Sequence, residues 1–206
     1  MKLFTPLMMM FISLWPSGQI EGNSEKINSD SNPKFPITSG SVTYAISGDG
    51  SGSSILYFDR NGWRTIEHRE LIMKRYGITS SEKVIELVDG DYQYKANLDA
   101  GTGKKGFDKS WSGLLSYKSK DETIEAIMTT KGGQLKGTEV VIDKICHVWI
   151  FEKGPIKEIW EWEGIPLKIK KEIPGIHYEL TATEIKENTV FPDDELLKLN
   201  DIVWSN

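Results

Sequence analysis

Cysteine is almost missing from this 206-residue chain: Cys146 is its one thiol. No internal disulfide can form, so the fold must hold by its core alone. Cys146 falls in the apolar stretch Ile145 to Phe151, where it reads as a small buried hydrophobe, with a reactive thiol as the competing reading. Histidine is nearly as scarce. His68, His147 and His177 have no His or Cys partner at ligand spacing. The adjacent Cys146 and His147 would point to opposite faces of a strand, which argues against a metal site and against a thiol–imidazole pair. No G-x-S-x-G string occurs, so the usual serine-hydrolase elbow is missing. A basic surplus is missing too, with 25 Lys+Arg against 30 Asp+Glu and a net charge of -5. Binding to nucleic acid needs clustered cations that displace counterions, and this balance argues against it. What remains is ample material for a core: hydrophobic residues are 38% and aromatic residues 10% of the chain, with seven tryptophans. That is enough for one domain of ordinary size.

Long apolar runs are confined to the N-terminus. Lys2 precedes an apolar stretch from Leu3 to Trp15, and Pro16-Ser17-Gly18 follows. This is a signal-peptide pattern over residues 1–18, shorter than the roughly 20 apolar residues a permanent span requires. The chain is expected to be exported, and the mature protein to have no stable membrane span. Residues 19–36 are rich in Glu, Asn, Ser, Lys and Asp and read as a solvated tether. A single domain is expected over 37–206.

Within that domain the hydrophobic period is two. Tyr92, Tyr94, Ala96 and Leu98 alternate with Gln93, Lys95 and Asn97; Ile165, Leu167 and Ile169 alternate with Lys168 and Lys170; Tyr178, Leu180 and Ala182 alternate with Glu179, Thr181 and Thr183. Each is the pattern of a strand with one dry and one wet face. Further strands are expected at Val42 to Ile46, Ile55 to Asp59, Arg64 to Leu71, Val84 to Val88, Glu139 to Ile142, Val148 to Phe151 and Lys157 to Trp162. Asn61-Gly62, Gly48-Asp49-Gly50, Asp89-Gly90, Lys153-Gly154-Pro155 and Pro174-Gly175 mark tight reversals, which join antiparallel neighbours. One helix is expected over Asp121 to Thr130, capped by Asp121, and a short one over Asp193 to Lys198.

Gly101-x-Gly103-x-x-Gly106 has the letters of a dinucleotide fingerprint. The residues after it, Phe107-Asp108-Lys109-Ser110-Trp111, do not read as the helix that fingerprint needs, so a flexible basic hairpin loop is expected instead. Carboxylate groups such as Glu158, Glu161 and Glu163, or Asp193, Asp194 and Glu195, read as solvated surface rather than as a glycosidase pair. The segment that stands out is aromatic, Val148-Trp149-Ile150-Phe151 and then Ile156 to Lys168, where Trp160 and Trp162 share a face. Together with Tyr57, Tyr92, Tyr94 and Leu167 these rings are expected to line an apolar pocket on a curved sheet. The competing reading has the same rings filling a closed core.

Ser41-Val42-Thr43-Tyr44, the Tyr57 to Gly62 hairpin, Gly137-Thr138-Glu139-Val140-Val141, Cys146-His147-Val148-Trp149 and above all Trp160-Glu161-Trp162-Glu163-Gly164-Ile165-Pro166-Leu167-Lys168 resemble an uncharacterised domain family of Gram-negative envelope proteins. That family is similar to the lipoprotein-carrier (LolA and LolB-like) superfamily. Ala182-Thr183-Glu184-Ile185, Asn188 and Phe191-Pro192 extend the resemblance, which covers Ile37 to Trp204. It implies an α+β fold, mainly antiparallel β, with a curved sheet or incomplete β-barrel covered by one or two helices. It also implies a periplasmic location, no cofactor and no covalent chemistry. The expected function is non-enzymatic binding of a lipid, a lipoprotein acyl chain or another apolar ligand between sheet and helix. The alternative is a structural or interaction module of the envelope, with a filled core and a protein partner.

Overall fold

A computed structural model describes residues 32–75, 78–173 and 175–205. The signal-like segment 1–18 and most of the tether 19–36 lie outside the described residues. The strands are β1 (Gly40–Gly48), β2 (Gly50–Asp59), β3 (Arg64–Arg75), β4 (Ile78–Asp89), β5 (Tyr92–Asn97), β6 (Thr102–Phe107), β7 (Gly133–Val141), β8 (Lys144–Phe151), β9 (Ile156–Trp162), β10 (Ile165–Ile173), β11 (Ile176–Glu187) and β12 (Val203–Ser205). Helices α1 (Ser110–Leu115) and α2 (Lys120–Thr130) stand between β6 and β7.

The strands form one 12-stranded sheet in the order β12-β6-β5-β4-β3-β2-β1-β11-β10-β9-β8-β7. Neighbours are antiparallel except β12, which lies parallel to β6. The sheet is curved and unclosed, an open half-barrel with a few helices. Most of this order follows from local hairpins, as the turn chemistry demands. Among the described residues the one long-range antiparallel junction is β1 on β11, where Val42 faces Ile185 and Ile46 faces Leu180.

Three local details differ from the sequence expectation. Gly101 to Gly106 is not a loop: it supplies most of β6, paired with β5 from Tyr92 opposite Phe107 to Asn97 opposite Thr102. Gly103 is needed there because a Cβ would stand 2.6 Å from the Trp204 ring and 2.8 Å from the Lys95 carbonyl. Helix α1 follows directly, where none was expected. The cap of α2 is Ser119 rather than Asp121. The Glu122 amide donates to Ser119 Oγ at 3.3 Å, and the Ser119 amide donates to Glu122 Oε2 at 2.9 Å. This reciprocal box satisfies two orphan donors at once.

Two apolar cores result. The larger joins β1, β2, β8, β9, β10 and β11 through residues including Val42, Tyr44, Phe58, Val148, Trp160, Leu167 and Leu180. The smaller holds Ile66, Ile85 and Phe191, with Tyr57, Leu87, Leu196 and Leu199 packed on it. Successive strand residues point to opposite faces, so Ile66 and its neighbour Glu67 look to opposite sides of the sheet. The chain's C-terminal segment thus covers one face of β2–β4 and leaves the other to the inside of the half-barrel. Arg64 fixes that cover by pairing with Asp193 at 2.8 Å and lying 3.9 Å over the Phe191 ring.

Candidate binding site inside the half-barrel

The inner face is traced by register. Leu56 lies opposite Val42 and Glu67, Glu67 opposite Glu86, and Glu86 opposite Lys95. On the other side Ile46 lies opposite Leu180, and Leu180 opposite Ile169. A cavity of about 200 Å³ opens on this face, lined by Phe35, Tyr44, Leu56, Thr65, Glu67, Pro166, Ile169 and Leu180. Its walls are mainly apolar, with Glu67, Thr65 and the phenol of Tyr44 as polar points. The Tyr44 hydroxyl is already engaged, donating to the Pro166 carbonyl at 2.7 Å. At roughly 30 Å³ for each water-sized group, the volume holds about seven such groups, a short apolar segment rather than a whole diacyl lipid.

The element closing this cavity is a strap, residues 32–37, and not a helix. The amides of Lys34 and Phe35 both donate to the Asn61 carbonyl, at 3.0 and 2.9 Å, and the Asn61 amide donates to the Thr38 carbonyl at 2.9 Å. Trp63 Nε1 donates to the Asn32 carbonyl at 2.8 Å. Phe35 is buried and meets Phe58 edge-on at 5.2 Å. The turn accommodates it through Gly62, at φ 83°, where a Cβ would stand 2.6 Å from the Phe35 ring. Lys34, 5% exposed, lies 4.0 Å over the Trp63 ring. Burial pulls its ammonium down to about 8 against the attraction of Asp91 and Asp108. The last residues of the expected tether are therefore part of the folded domain.

Beyond the cavity, on β3–β5, the inner face is ionic. Arg69, 4% exposed, donates through Nε to Glu67 Oε1 at 3.0 Å and through Nη2 to Glu86 Oε1 at 2.9 Å. Lys95 Nζ reaches Glu86 Oε1 at 2.7 Å, and Ser54 Oγ donates to Glu67 Oε1 at 2.6 Å. Burial alone would raise both carboxyls, but Arg69 overrides it and holds Glu67 below the ordinary value. At Glu86, Arg69 and Lys95 together carry the carboxyl well below it.

The expected lining residues are dispersed. Trp160 and Leu167 are buried in the larger core, with Trp162 packed against it. Ile169 lines the cavity and lies opposite Ile159, so Trp160, next along β9 and opposite Lys168, points to the other face. There its indole N–H donates to Glu139 Oε2 at 2.8 Å, and Lys168 and Lys170 sit 4.8 and 5.0 Å over its ring. Tyr57, Ile66, Leu87 and Tyr94 form a direct cross-strand row on the face that the C-terminal segment covers. Tyr57 packs on the smaller core, Tyr94 meets Trp204 at 5.6 Å, and Tyr92 is half exposed beside Phe107 at 5.1 Å. None of these six residues lines the cavity.

Cys146 is fully buried, with burial pushing its thiol up to about 11, as a packed hydrophobe would be. Glu161, by contrast, is not solvated surface: it is 1% exposed. Its Oε1 accepts the Gly164 amide in the β9–β10 turn, its Oε2 lies 3.5 Å from His147 Nδ1, and burial raises its carboxyl. Among the described residues no group of His, Cys, Asp and Glu converges as a metal site, and no helix is long and apolar enough to cross a membrane.

No protein-family model matches the chain, and no curated protein matches it in sequence. Among solved structures it is similar to an uncharacterized conserved protein from Thermus thermophilus, with 10% identity, a TM-score of 0.49 and coverage of 85% of this chain and 96% of that one. It is also similar to MucB, with 14% identity, a TM-score of 0.37 and coverage of 82% of this chain and 60% of that one. A third is LprF from Mycobacterium bovis, with 9% identity, a TM-score of 0.35 and coverage of 80% of this chain and 91% of that one.

Proposed function

We propose that this chain is a non-enzymatic binding protein of the cell envelope that takes an apolar segment of a ligand into the half-barrel. The observation that carries the reading is the cavity enclosed by Phe35, Tyr44, Leu56, Pro166, Ile169 and Leu180. It is an apolar concavity with a few polar points, the character of a small-molecule site. Burying each methylene there contributes about 0.8 kcal/mol, so affinity needs no catalytic group. The open half-barrel agrees with the carrier-like fold that the Trp160 to Lys168 string implies, and the N-terminal pattern of residues 1–18 agrees with export to the periplasm. The strap supplies a mechanism: it is held by backbone hydrogen bonds to Asn61, by the Trp63 indole on the Asn32 carbonyl, by Lys34 over Trp63 and by the Phe35 ring, and lifting Phe35 would lengthen the groove.

Native mass spectrometry of protein purified from its own envelope tests this reading. A bound apolar molecule that organic extraction removes, and that dodecanol replaces, is the expected result. Protein that is ligand-free from its source and takes up no dodecanol would leave the structural or interaction module as the better account.

A further inference from the structure

Next to the apolar cavity lies a second cleft of about 400 Å³, lined by Ser47, Gly48, Lys157, Lys170, Lys171, Glu172, His177, Tyr178 and Glu179. Ile169 and Leu180, a cross-strand pair, line the cavity; Lys171 and Tyr178, the pair two residues along on the same face, line the cleft, together with Lys170, Glu172, His177 and Glu179 from the opposite face. Two residues of strand is about 7 Å.

The cleft holds two groups that have no ion-pair or hydrogen-bond partner among the described residues, the Lys171 ammonium lying 5.9 Å from the Tyr178 ring. Lys168 lies 3.1 Å from Glu179, Lys170 lies 3.3 Å from Glu158, and Lys157 has Glu172 at 3.9 Å. Lys171 is the exception on β10: among the described residues no carboxylate oxygen stands within 4.0 Å of its ammonium. The carboxylates it faces across the barrel, Glu86 and Glu67, are already engaged by Arg69, with Lys95 and Ser54 as further donors. Burial and the positive charge of Arg69 pull Lys171 down to about 8 against the attraction of Glu86 and Glu67. Tyr178 is the second group. It is 3% exposed, and its hydroxyl is buried with no hydrogen-bond partner, a state that native structures rarely leave unexplained. Burial pushes that hydroxyl up to about 12, so it stays protonated and able to donate.

We infer that the ligand is a single-chain anionic amphiphile, its chain in the cavity walled by Leu56, Ile169 and Leu180 and its carboxylate or phosphate head between Lys171 and the Tyr178 hydroxyl. This rests on the proposed function and adds the charge and place of the head. An anion at this point completes two valences together, since a charge-assisted hydrogen bond from each partner is stronger than its neutral counterpart. A neutral head would leave Lys171 uncompensated.

Calorimetric titration of the full chain with dodecanoate, dodecyl phosphate, dodecanol and inorganic phosphate tests the inference. Dodecanoate or dodecyl phosphate, or both, should bind at least tenfold tighter than dodecanol, and whichever is the tighter identifies the head. Inorganic phosphate alone should not bind at the same concentrations. Lys171→Met should erase the preference by weakening the anions while leaving dodecanol unchanged. Tyr178→Phe should weaken the anions several-fold. The unmutated comparison stands even if a variant folds poorly. Equal binding of dodecanoate, dodecyl phosphate and dodecanol would overturn the anionic head and keep the apolar cavity. Binding of phosphate without a chain would overturn the amphiphile. Binding of none of the four would overturn this inference together with the reading beneath it.

Discussion

The inner face of the half-barrel has two unlike halves. On β1, β10 and β11 it is built from Tyr44, Ile46, Ile169, Leu180 and Ala182, and holds its shape by close packing. On β3–β5 it is built from Glu67, Arg69, Glu86 and Lys95, and holds its shape by a chain of ion pairs, each anchored to the next. The apolar half stabilises in proportion to the area it buries and needs no specific partner geometry. In the ionic half the buried Arg69 and the half-buried Glu67, Glu86 and Lys95 depend on one another staying in place. The cavity lies at the seam, with Glu67 as its ionic wall and Leu180 as its apolar one.

The largest effect should come from the apolar region, where two truncations should separate filling from lining. Trp160→Ala should cost about 3–5 kcal/mol and leave dodecanol affinity unchanged, because its ring points away from the cavity. Leu180→Ala should cost roughly 2–4 kcal/mol and change that affinity. Reversed outcomes in the two titrations would return the binding role to the tryptophans. Breaking the ionic half comes next. Arg69→Met removes the buried guanidinium that two half-buried carboxylates share and should lower stability by about 2–3 kcal/mol. Adding Glu67→Gln and Glu86→Gln to it should restore much of that in urea denaturation. A single variant as stable as the parent would show that the ion chain contributes nothing to stability.

Acid sharpens the contrast further. Glu67 and Glu86 have folded values below their unfolded ones. Their stabilisation is present above the unfolded value of about 4.3 and is lost as pH falls through the folded values. Glu161, raised by burial, has the opposite sign: its contribution is complete below the unfolded value and is lost as pH rises through the folded one. Urea midpoints taken from pH 7 to pH 3 should therefore fall in acid for the parent, fall less for Glu86→Gln, and fall more steeply for Glu161→Gln. The smallest expected change is at α2, away from both halves, where Ser119→Ala should cost about 1 kcal/mol in thermal melting and leave binding untouched.

Much of the sheet is legible in sequence because its strands obey a period of two and its turns carry Asn, Asp or Gly at most positions of positive φ, Arg60, Ile142 and Glu163 being the exceptions among the described residues. Alternation does not say which side of a sheet is inside, and β5 shows why that matters. The period correctly separates Tyr92, Tyr94 and Ala96 from Gln93, Lys95 and Asn97. Yet the polar set faces the barrel interior, because Glu86 awaits Lys95 there, and the aromatic set lies on the face shared with the smaller core and Trp204. The same limit moves the candidate site. Trp160 and Trp162 share a face as expected, but a bulge between Pro166 and Lys168 shifts the phase of β10, and no single-sequence period contains a bulge. Phe35 is hidden differently, as a lone ring in a polar stretch whose contacts, Asn61 and Phe58, lie far along the chain. Glu161 looks like surface beside Glu158 and Glu163, and only the turn that brings the Gly164 amide to it accounts for its burial.

In the proposed function the seam between the two halves takes the apolar part of a ligand. Methyl spectra of Leu- and Ile-labelled protein titrated with dodecanol test it most directly. Binding at the seam should give saturable shifts at Leu56, Ile169 and Leu180, with Ile66 and Ile85 of the smaller core unmoved. Shifts centred on Ile66, Ile85, Leu196 and Leu199, or no saturable shift at any methyl, would contradict it.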